Sequence, residues 1–317
     1  MQLHLFPADS ELSQLQVERA RLQTAVLAAS TISSYGYDFA MFSEWAGARD
    51  RAALPASPET VGLYLTAILV EGRKVATARR RAAAVAYHHR SKGLPSPITP
   101  DICQLLAGAQ RSRLERPRQM RPLSVAQLRA ISEALALRKG ALAARDRAIF
   151  VVGYCSALRR SNLAALHLGD IEFTPEGFVI SVGREKNHQE GGRYIGVPRG
   201  KRSATCPVRI LRAWLKVRPP GPGPLFCRVC RRYGGKALSG EAVEHVVKRG
   251  VALIGLDPRD RWAPHALRAG LVTAAIDAGT SDYVITAQTG HAKPAGLRDY
   301  YRRVNLFAAN VCYGIGI

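Results

Sequence analysis

Glu115-Arg116-Pro117-Arg118-Gln119-Met120-Arg121-Pro122 divides this chain in two. Its prolines oppose a continuous helix and its other residues show no apolar period, so it reads as an exposed basic linker. Just beyond it, Ser124 offers an N-cap to a helix over 125–137, with Leu128, Ile131 and Leu135 at helical spacing. On the N-terminal side everything reads as helix: 12–29, 33–45, 58–69, 75–92 and 99–113. Tyr35, Phe39, Phe42 and Trp45 recur at helical spacing and read as core rather than as a base-stacking platform. On the C-terminal side Phe178-Val179-Ile180-Ser181-Val182 and Arg193-Tyr194-Ile195-Gly196-Val197 flank a polar turn, which predicts an antiparallel hairpin with a long charged tip. Helices follow over 207–216, 239–255, 265–278 and 282–290, and the Pro/Gly run 218–224 reads as a rigid surface connector. The expected fold is α+β: mainly α with a small antiparallel β-sheet. Its expected domains are a helical bundle over 1–115, a linker over 116–123 and a second domain over 124–317.

Composition narrows the partners. Of 317 residues, 46 are Lys or Arg against 24 Asp or Glu, a formal net charge of +22. That excess favours a polyanion, of which nucleic acid is the commonest. Residues 1–120 hold 15 basic and 10 acidic residues and residues 121–317 hold 31 and 14, so both parts are positive. In the first part the charge concentrates at Arg73, Lys74, Arg79, Arg80, Arg81, Arg90 and Lys92. With the linker's Arg118 and Arg121, these residues suggest a clamp that closes on a duplex, with the Arg79-Arg80-Arg81 run read as phosphate contact before solvated face. A 47% hydrophobic share excludes a disordered chain. The apolar stretch 61–70 is too short to span a bilayer, and the first residues lack the layout of a secretory signal. Six scattered cysteines suggest a reducing, intracellular setting. The Cys227/Cys230 pair has no second pair beside it and reads as free thiols near a loop, so no metal is expected.

Pro264-His265-Ala266-Leu267-Arg268 puts His and Arg three apart, on one helical face, where both can approach one phosphate. Alone that motif is weak. Downstream lie Thr289-Gly290-His291 and, nine residues past His291, Tyr300 beside Tyr301; upstream lie Ser156-Ala157-Leu158-Arg159-Arg160 and the hairpin-tip Lys186. This ordered set resembles the tyrosine recombinase (phage integrase) family over nearly the whole chain. In that family the order is Arg, a hairpin Lys, His-x-x-Arg, Gly-His and a Tyr nine residues on, filled here by Arg159, Lys186, His265, Arg268, His291 and Tyr300. Lys186 also stands in Lys-Asn-His-Gln-Glu-Gly, close to the family's Lys-Thr-Asp-Gln-Glu-Gly.

The resemblance implies a SAM-like core-binding domain and a catalytic domain forming a C-shaped DNA clamp. It implies a site-specific recombinase that cuts and rejoins double-stranded DNA recombination sites through a 3′-phosphotyrosyl bond, integrating or excising a mobile element. The chemistry fits the residue types. Displacement at a phosphodiester builds charge on its non-bridging oxygens, which Arg159 and Arg268 can grip with planar forks that never lose charge, His291 adding a donor. Lys186 can protonate the leaving 5′-oxygen, and His265 can manage the proton of Tyr300. The phosphotyrosyl bond keeps the energy of the broken one. Religation then calls for no ATP, metal or other cofactor, in keeping with a sequence that has no P-loop and no carboxylate cluster.

Two positions depart from the family. Asn162 stands where an acidic residue usually follows the first Arg by three, and Ala157 stands where Gly is usual. The apolar tail 304–317 packs on its own domain or, as the resemblance implies, docks on a neighbouring protomer of a homotetramer. A cytoplasmic, nucleoid-associated protein is expected. The rival readings are a monomeric type IB topoisomerase-like nicking enzyme, and a non-catalytic DNA-binding regulator toward which Asn162 alone leans.

Overall fold

The computed structural model describes residues 12, 14, 15, 27–113, 121–183, 192–230, 234–260, 262–290, 294–297 and 300. The chain splits into two compact units, Met1–Pro117 and Arg118–Ile317.

Among the described residues of the first unit, the helices α1 (Ala29–Gly47), α2 (Pro58–Val70), α3 (Val75–Ser91) and α4 (Pro100–Arg113) surround one core. Ser57 starts α2 by accepting from the Thr60 amide at 3.1 Å, with Pro58 in the first turn where its missing N–H costs nothing. Phe42 and Tyr64 pack ring to ring at 5.1 Å, and Trp45 joins them at 5.4 Å. Tyr35 pairs instead with Tyr87 at 5.5 Å, nearer the surface. Phe39, Phe42 and Trp45 of the α1 stripe belong to the core, as their spacing predicts, whereas Tyr35 lies outside it. Most of the predicted helix over 12–29 lies outside the described residues.

One buried charge specifies this bundle. Asp38 on α1 is fully buried and meets Arg80 at 2.7 Å and Arg81 at 3.8 Å, both from α3. Arg81 also donates to Tyr64 Oη at 2.7 Å. Burial pushes the Tyr64 phenol above its ordinary range, against the pull of Arg81. A paired charge of this kind fixes the register of its helices more than it adds net stability.

In the second unit α5 (Val125–Ala136) opens on a capping box. The Gln127 amide donates to Ser124 Oγ at 3.1 Å, and the Ser124 amide donates to Gln127 Oε1 at 2.9 Å. Then come α6 (Ala141–Ser156), α7 (Arg160–Ala165) and a three-stranded antiparallel sheet of order β1-β2-β3. Its strands are β1 (Ile171–Phe173), β2 (Gly177–Val182) and β3 (Arg193–Pro198). The β2–β3 pairing sets Phe178 against Val197 and Ile180 against Ile195, so both strands turn the same alternate residues into the core. Helices α8 (Pro207–Val217), α9 (Gly240–Ala252), α10 (His265–Asp277) and α11 (Asp282–Thr289) follow, and a 3-10 turn at Pro294–Leu297.

The core gathers around α6, buried on nearly every side, with Trp214 of α8 donating to the Leu225 carbonyl at 2.8 Å. Gly270 lets the chain entering α5 lie directly on α10. A Cβ there would stand 2.1 Å from the Leu123 carbonyl oxygen, and the Leu123 amide donates to Ala266 O at 3.0 Å. A small satellite cluster of Val272, Ile285 and Leu297 joins α10, α11 and the last 3-10 turn. Among the described residues no helix is long and apolar enough to cross a membrane.

Candidate active site

Helix α6 ends where Ala157 turns left-handed, with φ 50° and ψ 29°. Glycine adopts that conformation freely, whereas a residue with a Cβ does so at a cost of about 1–2 kcal/mol. The turn aims the Ala157 carbonyl at α10, where it accepts from Arg268 Nη1 at 2.8 Å. Arg268 is only 2% exposed, so this bond helps to settle where a buried cation points.

Two residues on, the neighbouring arginines part company. Arg160 reaches α9 and pairs with Glu244 at 2.8 Å, while Arg159 caps α7 and lies close enough to His265 to repel a proton from its ring. His265 and Arg268 share one face of α10, as their spacing predicts. Removal from water is the larger cause that holds the His265 imidazole below its ordinary pKa, and the charges of Arg268 and then Arg159 add to it. His265 Nε2 stands 3.3 Å from Tyr300 Oη. The Tyr300 ring packs on the satellite cluster, which fixes the phenol beside the two helix-borne groups. A neutral imidazole facing a phenol beside two guanidinium groups can take the phenol's proton while an anion occupies the arginines.

The structure thus brings Arg159, His265, Arg268 and Tyr300 together. Lys186, His291 and Arg118 lie outside the described residues, as do Tyr301 and the tail 304–317. Asn162 sits on α7 and accepts from Ser161 Oγ at 3.3 Å. Of the basic residues read as DNA contacts, Arg73, Lys74 and Arg79 are exposed, and Arg121 is exposed with Asp260 at 3.5 Å. Arg80 is exposed, yet its guanidinium donates twice to Asp38, at 2.7 and 3.0 Å. Arg81 corrects the sequence expectation. It is 9% exposed, and its guanidinium serves Tyr64 and Asp38 inside the bundle, because every third or fourth position of α3 faces inward.

Sequence reasoning missed three contributors. One is the Ala157 carbonyl. Another is Arg193, at the start of β3, which donates to the carbonyls of Gln288 at 2.9 Å and Thr289 at 3.3 Å. The third is Gln288, whose Nε2 donates to the Cys155 carbonyl at 2.9 Å. The Cys155 thiol itself is pushed up to about 12 by burial, so it is no nucleophile. Only the departure from Gly at residue 157 signalled any of these. Cys227 is buried and Cys230 exposed, both as free thiols, and the described residues contain no cluster that could hold a metal.

A family model described as the phage integrase family matches residues 121–306, more than half of the chain. The chain belongs to the phage integrase family. It is therefore a tyrosine recombinase, a DNA breaking-and-rejoining enzyme. An integrase/recombinase, a XerD homologue of Selenomonas ruminantium, is 29% identical over 288 residues, covering 89% of this integrase and 84% of that protein. A tyrosine recombinase of Synechococcus elongatus is 32% identical over 170 residues, 53% of this chain and 50% of the relative. Among solved structures, the Tn1549 transposon integrase in complex with transposon right-end DNA superposes with a TM-score of 0.62 at 14% identity, covering 95% and 98% of the two chains. The XerH site-specific recombinase bound to palindromic difH substrate gives 0.60 at 16% identity, covering 82% and 72%. At such identities the superpositions establish the fold, mainly helical with a small antiparallel sheet.

Proposed function

We propose that this integrase performs site-specific recombination through a 3′-phosphotyrosyl intermediate, with Tyr300 as nucleophile. The observation that carries the proposal is the Tyr300–His265 pair beside Arg268 and Arg159. Tyr300 Oη attacks a backbone phosphorus and passes its proton toward His265. A bond forms from phosphorus to the phenolic oxygen, and the bond from phosphorus to the 5′-oxygen breaks. Lys186 protonates that oxygen, while Arg159, Arg268 and His291 hold the charge on the non-bridging oxygens. The reverse step, with a 5′-hydroxyl from another strand, completes strand exchange.

The remaining assignments are part of the same reading. Double-stranded DNA carrying recombination sites is the substrate; the XerH site-specific recombinase of like fold is bound to palindromic difH substrate. The first unit serves as a core-binding domain, presenting Arg73, Lys74 and Arg79 to phosphates, and the linker's Arg118 and Arg121 add further phosphate contacts. Four protomers assemble on two sites with the tail 304–317 exchanged between them, and the enzyme integrates or excises a mobile element in the cytoplasm. A nicked suicide duplex tests the chemistry, because its cleaved end diffuses away and strands the protein on DNA. Wild type is expected to accumulate a covalent adduct and Tyr300→Phe none. No adduct from wild type would leave a binding-only protein, and an adduct from Tyr300→Phe would place the nucleophile elsewhere.

A further inference from the structure

Arg193 is the first residue of β3 and follows the hairpin tip that carries Lys186 by seven positions. Its guanidinium bridges the last two carbonyls of α11, those of Gln288 and Thr289. Helix C-termini leave such carbonyls without intrahelical partners, and a cation there also answers the helix dipole. The next residue, Gly290, turns left-handed at φ 67° and lies so close to Arg193 that a Cβ would stand 2.8 Å from its Nε. The residue after that is His291. On the opposite side, Gln288 donates to Cys155 O at 2.9 Å, two residues before the Ala157 carbonyl that holds Arg268. One arginine thus clamps the start of β3 to the Gly290 turn at the end of α11, in a segment also tied to the Arg268 anchor.

From this geometry we infer that Arg193 is a positioning residue for cleavage, fixing the end of α11 and its Gly290 turn against the start of β3, the two elements that border His291 and Lys186 in sequence. The inference rests on the reading of His291 as a phosphate donor. It gives the glycine before His291 a physical reason beyond its left-handed turn, since a side chain there would displace the Arg193 fork. Gln288 adds a longer tie between the same elements, its Nε2 donating to the Gly196 carbonyl of β3 at 3.5 Å.

A double-mutant cycle tests it. Single-turnover cleavage by the full chain is measured on a nicked duplex whose site has been recovered by covalent capture from a random-sequence pool. The variants are Arg193→Gln, His291→Ala and the two combined. Misplacing a reacting group by about an ångström costs about 100-fold, so Arg193→Gln should cleave about 30- to 100-fold slower with duplex affinity unchanged. In the His291→Ala background the same change should cost no more than about twofold. Gly290→Ala should match Arg193→Gln and fail to add to it. Arg193→Lys keeps the charge without the fork and should stay at least about tenfold slow; it carries the same cycle if Arg193→Gln melts below the assay temperature. Wild-type rates for Arg193→Gln or Arg193→Lys, or full multiplication of the Arg193 and His291 effects, would overturn the inference alone. A wild-type rate for His291→Ala would overturn the donor reading and the inference with it.

Discussion

At His265 burial comes first, and the charges of Arg268 and then Arg159 add to it, in disfavouring an imidazolium. The free site therefore keeps a neutral base 3.3 Å from the Tyr300 hydroxyl. Moving that proton creates a third cation among two, which is tolerable only once a phosphate brings negative charge between the arginines. Proton transfer is then tied to substrate binding. Because the His265 pKa is lowered in the folded enzyme, its base form persists as pH falls through the ordinary histidine range. The kcat/KM profile for adduct formation, which reports the free enzyme, should hold its value down to about pH 6.5 and decline only below it. His265→Ala should slow adduct formation by about 100-fold or more and remove that acid limb. An acid limb above pH 7 that survives in His265→Ala would assign the titration to another group. His265 and Arg268 lie three apart, a motif that is weak alone, and only the resemblance to the family singles out Tyr300 by its interval from His291 and Arg159 as the first arginine. In three dimensions the neighbouring Arg160 is claimed by Glu244.

Elements carry these residues with uneven legibility. Amphipathic helices such as α5, with its capping box, and α8, with proline in its first turn, announce themselves, whereas α6 is buried on nearly every side, Arg145 and Asp146 included, and offers no contrast for a periodic reading to detect. β1 has only three residues, too few for alternation to show. The Pro/Gly connector reads as surface, yet its end is drawn inward: Leu225 donates to Leu166 O at 2.7 Å and Leu168 to Gly223 O at 3.0 Å, which stops α7 at Ala165. The junction of α6 and α7 is the element-level weak point, because Ala157 holds a left-handed turn while burying its methyl group. Ala157→Gly relieves about 1–2 kcal/mol of backbone strain and loses about as much in buried methyl and chain entropy, so stability should change by less than about 1 kcal/mol. A β-branched side chain tolerates that φ poorly, and Ala157→Val should lose at least about 2 kcal/mol in urea unfolding and weaken cleavage by shifting the Arg268 anchor. Equal stability for the two variants would contradict this account of the turn.

For the molecule as a whole, a net charge of +22 on two units that each carry basic surface predicts binding dominated by counterion release. Affinity for a duplex should fall by about 1,000-fold or more between 50 and 200 mM salt if six or more phosphates are neutralised. Within the first unit the two kinds of arginine should separate. Arg79→Ala should flatten the salt slope by about one unit and leave the melting temperature alone. Arg81→Ala should remove the Tyr64 hydrogen bond and the second cation beside Asp38, which keeps its two bonds from Arg80, and lower stability by about 1–3 kcal/mol. Melting curves and salt titrations of both variants decide this, and identical behaviour would refute the assignment of Arg81 to the interior. The chemistry at the centre of the second unit has a sharper test. Covalent complex trapped on a nicked duplex can be digested to peptides, and the nucleotide-bearing tyrosine identified by mass spectrometry. The modified residue should be Tyr300; a nucleotide on Tyr301, or on any other side chain, would contradict the pairing with His265 on which the mechanism stands.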